Sequence, residues 1–190
     1  MGNSEEPGSE IEPHSRARTP ASSGSAEDRP RRSDGVDSRG TLADAVADAA
    51  MRPATAETES LTATLVGVPE LELGEFVYPH QLPDSAAGET RPVALFDLEN
   101  RTDRPIRWRS ARTKFVGDDR YTYQPAHLSL EPGQLGPGCH TRQVEIDPGR
   151  RARMVTMVER LPRDVEIVEV VQTIARRAPA ENERLVFSVE

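Results

Sequence analysis

Arginine is the residue type with which this chain can do chemistry. All but one of its 24 basic residues are arginines; the exception is Lys114. Arg107 and Arg109 stand two apart in the run Ile106-Arg107-Trp108-Arg109. In a strand that spacing puts both guanidinium groups on one face and Ile106 and Trp108 on the other. Arg101, Arg104 and Arg112 lie close by in sequence, and Arg150 and Arg151 sit at another turn. A planar guanidinium grips a carboxylate or a phosphate through two parallel hydrogen bonds. Arg104, Arg107, Arg109 and Arg112 are therefore the candidate partner-binding residues. Residues 101–163 hold 13 basic against 7 acidic side chains, a net of +6, which leaves −14 for the rest of a chain whose total is −8. Such a patch suits an anionic partner, nucleic acid included. The competing expectation is a solvated face paired with the acidic stretches around it, where single ion pairs contribute little. No RNP-type or helix-turn-helix pattern accompanies the arginines.

Other candidate chemistry is thinner. Cys139-His140 could contribute two metal ligands, but no third ligand follows at a recognised spacing. His80 and His127 are distant in sequence and reach that pair only through the fold. Cys139 reads as an ordinary loop or strand-start residue, so no metal and no cofactor is expected. Gly133-Gln134-Leu135-Gly136-Pro137-Gly138 lacks the Gly-Lys-Ser/Thr ending of a phosphate loop. Its glycines serve turn geometry. No Gly-x-Ser-x-Gly elbow is present, and no acid–base or nucleophile pair stands out, so no catalytic residue is assigned. Asp118-Asp119 reads as a hairpin tip, and Asn100-Arg101-Thr102 as a turn before it reads as a glycosylation acceptor.

The elements that must position these residues are short strands. Leu61–Val66, Val93–Leu98, Ile106–Arg109, Arg142–Ile146, Arg153–Val158 and Leu185–Val189 alternate or cluster as strands do. Glu75-Phe76-Val77-Tyr78 is a weaker strand. Lys114–Val116 and Arg120–Tyr123 flank a Gly117-Asp118-Asp119 hairpin. Val165–Ile174 has helical spacing but is dense in β-branched residues, which predicts a strand with a bulge near Val168. Trp108 is predicted on the inner face, anchoring two sheets. Residues 1–57 are polar and lack a sustained period, which predicts a disordered arm, with a short helix over 41–51 at most. Residues 58–190 form the predicted domain. Eight or nine strands without βαβ alternation give an all-β, antiparallel sandwich.

Leu95-Phe96-Asp97-Leu98-Glu99-Asn100, Asp103-Arg104-Pro105-Ile106, Phe115-Val116-Gly117-Asp118-Asp119, Leu130-Glu131-Pro132-Gly133 and Leu185-Val186-Phe187 follow one another along the body. In this order they resemble the immunoglobulin-like β-sandwich domains of a bacterial and archaeal family without assigned function, often seen in exported proteins. The resemblance implies an interaction module and supplies no catalytic residues. Met1–Glu12 carries acids and no apolar core, and no run reaches the roughly 20 apolar residues of a membrane span. The expectation is a cytoplasmic, non-enzymatic module that binds a protein partner, with an anion or nucleic-acid binder as the alternative.

Overall fold

Alternating apolar residues become strands here because two sheets bury their facing sides against each other. The computed structural model describes residues 42–49, 51–86, 88–175 and 182–190. The first layer is built around β4 (Thr90–Asn100), which pairs with β2 (Leu61–Gly67) along one half and with β3 (Glu70–Glu72) along the other. β1 (Ala54–Glu57) extends this layer beyond β2, and β10 (Arg151–Met157) lies on the far side of β4. The second layer runs in the order β12 (Glu183–Ser188), β11 (Ile167–Ile174), β6 (Thr113–Gly117), β7 (Thr122–Tyr123). A separate two-stranded ribbon joins β5 (Ile106–Arg109) to β9 (Gln143–Ile146).

Leu65, Phe96 and Met154 from the first layer meet Phe115, Val170 and Phe187 from the second. Trp108 of the ribbon closes this core as predicted: it is fully buried, with its ring 5.1 Å from Phe96, which in turn lies 5.5 Å from Phe187. Burying each such side chain stabilises the fold by about 1.5–3 kcal/mol.

A second apolar cluster lies on the opposite face of the first layer. Val93, Leu95, Val155 and Met157 point there. They are covered by single helical turns α2 (Leu73–Phe76) and α3 (Pro132–Leu135), and by the helix α1 (Leu42–Asp48) through Leu42. β4 records this in its burial: Pro92–Phe96 is buried without interruption, whereas Asp97–Asn100 alternates.

Four expectations are revised or settled. Leu73, Phe76 and Val77 fall at helical spacing and are all buried, so the predicted strand at Glu75–Tyr78 is α2 followed by an isolated bridge from Val77 to Leu130. The sandwich is not wholly antiparallel. β8 (Cys139–His140) runs parallel to β10, and the intervening excursion through β9 supplies the crossover that a parallel pair requires. The boundary at residue 58 falls inside the body, since β1 pairs with β2 from Ala54 opposite Leu65 and α1 lies within the 41–51 window with Leu42 buried. Residues 1–41 of the predicted arm lie outside the described residues. Ile167–Ile174 is a strand, and its register shifts between Ile167 and Glu169, at Val168.

Candidate anion-binding corner

The chain leaves the ribbon at Arg109, makes one 3-10 turn over Ser110–Arg112, and enters the second layer at Thr113. A corner that turns inward buries backbone polar groups, and these must find partners. Ser110 is buried. Its N–H donates to Arg142 O at 3.0 Å, and its hydroxyl lies 2.7 Å from Thr141 O and 3.0 Å from Arg142 O. From the other side comes Gln172, fully buried in β11 between the inward residues Val170 and Ile174. Thr113 Oγ1 donates to Gln172 Oε1 at 2.7 Å, and Gln172 Nε2 donates to the carbonyl of Arg109 at 3.3 Å. Leaving one such buried group unpaired costs about 1–3 kcal/mol, so these bonds fix the corner's backbone.

Two clefts open on either side of Arg109. One, about 420 Å³, is lined by Arg107, Arg109, Arg112, Glu145 and Ile174. The other, about 520 Å³, adds Arg142, His127 and Thr141. Arg107 is neutralised by Glu145 opposite, at 2.8 Å. Arg109, Arg112 and Arg142 have no acidic partner among the described residues. The structure thus brings together three of the four candidate arginines. Arg104 stands apart on the neighbouring turn, almost fully exposed, with Asp103 at 3.9 Å.

Two arginines of β10 are arranged differently. On the outer face of the first layer, Arg153 forks onto Asp97 at 2.7 and 3.0 Å, and Arg151 meets Glu99 at 2.8 Å. These pairs, with Thr62 and Thr64, line a shallow cleft of about 550 Å³. The bonds to Asp97 push the Arg153 guanidinium pKa up.

Other sequence candidates take structural roles. Burial pushes the Cys139 thiol up, and its Sγ donates to Leu135 O at 3.2 Å. That is the opposite of an activated thiolate. His80 packs against Tyr78, and no group of three or more His, Cys, Asp or Glu suited to a metal occurs among the described residues. Asn100 is 1% exposed: its amide donates to Arg104 O and Ile146 O, both at 2.8 Å, and its carbonyl accepts from Thr102. It braces two turns and offers no free nitrogen for a glycan. Asp119 accepts from Tyr121 N and Tyr123 OH and so closes the hairpin. Gly136 and Gly138 adopt φ of 84° and 78°, the left-handed turn geometry that glycine permits.

Sequence reasoning missed Ser110, Gln172 and Arg142, and it weighed His127 only as a partner for Cys139-His140. Gln172 did carry a signal, since it shares the inward parity of Val170 and Ile174 and is the one polar residue of that set. Arg142 and His127 carry no local signal, because only the fold brings residues so distant in sequence to Arg109.

No protein-family model matches the chain, and no curated protein does. Among solved structures it is similar to the yjhA protein from Bacillus subtilis, at 10% identity over 68% of this chain and 93% of that one, with a TM-score of 0.45. A functionally unknown protein from Listeria monocytogenes matches at 13% identity over 75% and 84%, also with a TM-score of 0.45. An uncharacterized beta-sandwich protein from Clostridium difficile 630 matches at 12% identity over 70% and 88%, with a TM-score of 0.37. No helix among the described residues is long and apolar enough to cross a membrane.

Proposed function

We propose that the protein is a non-enzymatic, immunoglobulin-like binding module that captures an acidic segment of a protein partner at the β5–β6 corner. One observation carries this reading: Arg109, Arg112 and Arg142 stand without acidic partners around a turn whose backbone is held by Ser110 and Gln172. The backbone that carries these side chains is already fixed, so a carboxylate that binds there orders side chains but not backbone. The immunoglobulin-like assignment is supported by the two-layer arrangement and by Trp108 packed between the layers. A protein partner is favoured over nucleic acid because the clefts are lined by Ile174, Ala126 and Leu128, with no aromatic platform for base stacking.

Fluorescence anisotropy with a labelled hexaglutamate peptide, beside a single-stranded oligothymidylate of equal charge, tests the reading. The peptide binds, and more weakly as salt rises. Tighter binding of the oligonucleotide, or no binding of either probe, overturns it.

A further inference from the structure

We infer that the acid taken at the arginine corner is a phosphorylated side chain of the partner, held in the 520 Å³ cleft by Arg109, Arg142 and His127. This rests on the acidic-segment reading above and adds the chemical class of the acid. The cleft is set apart by what lines it. It offers two guanidinium groups, the His127 imidazole, the Thr141 hydroxyl and the Gln143 amide, and no carboxylate. Three other clefts among the described residues each bring carboxylates to their arginines: Asp97 and Glu99 in one, Glu145 in the second, Glu89 and Glu159 in the third.

Its two arginines are tied together at the backbone. Arg142 O accepts from both the N–H and the hydroxyl of Ser110, the residue that follows Arg109, and Arg109 O accepts from buried Gln172. His127 arrives from a separate stretch of chain, anchored where Ala126 N donates to Met157 O at 2.8 Å and Pro125 bridges to Val158. The lining residues thus come from three stretches, 109–111, 125–128 and 141–143.

A carboxylate offers two oxygens in one plane and a single charge, which one guanidinium fork satisfies. Arg107 and Glu145 show that case within the same ribbon. A phosphorylated side chain carries a charge of about −1.5 to −2 at neutral pH and three strong acceptor oxygens. Two guanidinium groups match that charge, and donors from three stretches of chain match three oxygens that point apart. A phosphodiester keeps a single charge per phosphate, so nucleic acid does not meet the same demand. Clefts of about 300–1,000 Å³ enclose ligands much larger than one phosphoryl group. Pro125, Ala126 and Leu128 line the rest of this one, which suits the peptide that carries the group over the free ion.

The test uses the full chain and labelled glycine-alanine peptides in fluorescence anisotropy. One carries a central phosphoserine. The other carries two adjacent glutamates and so a nearly equal charge. The phosphoserine peptide binds at least about tenfold more tightly than the diglutamate peptide, and inorganic phosphate displaces it only at concentrations at least about tenfold above the peptide's own Kd. Arg142→Ala and His127→Ala, both at exposed residues, each remove most of that preference with the melting temperature held. Arg151→Ala, on the sheet face, leaves both affinities unchanged. Equal affinity for the two peptides, or a preference that survives Arg142→Ala and His127→Ala, overturns the phosphoryl assignment while the corner stands on its hexaglutamate binding. Displacement by inorganic phosphate at the peptide's own Kd overturns the phosphopeptide in favour of the free ion. Failure of hexaglutamate and the phosphoserine peptide alike overturns the corner and the assignment together.

Discussion

On the outer face of the first layer Arg151 and Arg153 face Glu99 and Asp97 across the sheet; at the β5–β6 corner Arg109 and Arg112 face no acid among the described residues. Both sets are arginines on or beside strands, and register separates them. In the ribbon, Arg107 lies opposite Glu145 and is paired, while Arg109 lies opposite Gln143 and is not. A single acid-to-amide difference between adjacent outward positions of β9 leaves a guanidinium free. The lesson is that an arginine count says little, whereas the identity of the cross-strand neighbour says whether the charge is already satisfied.

The comparison breaks most visibly where the corner is held. Gln172→Ala removes the acceptor for Thr113 Oγ1 and the donor to Arg109 O, both buried. It should cost about 2–3 kcal/mol in urea unfolding and weaken hexaglutamate binding as well. Gln143→Glu sharpens the contrast, because it gives Arg109 the partner that Arg107 already has. Hexaglutamate affinity should fall about tenfold, with stability within ~0.5 kcal/mol of the parent. Arg153→Ala acts on the other region. Both members of its pair are close to half exposed, so the loss is at most about 1 kcal/mol of stability, with peptide affinity unchanged.

The smallest effect belongs to the hairpin. Tyr123 donates its hydroxyl to Asp119, which, with some burial and nearby acids, pushes the phenol from 10.0 up to about 12. The folded value lies above the ordinary one. The bond's contribution is therefore whole below pH 10 and is lost as the pH rises toward 12. Alkaline absorbance titration should show one of the three tyrosines ionising late, and Tyr123→Phe should remove that late component.

The strands were largely legible because one-sided burial writes itself as alternation, as Ile106–Arg109 and Gln143–Ile146 illustrate. The second apolar cluster was not recognised, although Val93–Phe96 hinted at it by being apolar on both faces. Short helical turns such as Leu73–Phe76 carry too little sequence to display a period, so propensity misread them. β1 is short and half polar, and it becomes a strand only because β2 offers it an edge. Arg107, Arg109 and Arg112 were legible as a set. Their pairing was not, since it depends on register across the ribbon.

One titration bears on all of this. Hexaglutamate binding is measured for the full chain, for an Arg109→Ala/Arg112→Ala variant and for an Arg151→Ala/Arg153→Ala variant, each with its melting temperature. The account predicts that the corner variant loses at least about tenfold in affinity with its melting temperature held, while the sheet-face variant keeps its affinity. Equal loss in both variants, or loss in the sheet-face variant alone, would contradict it.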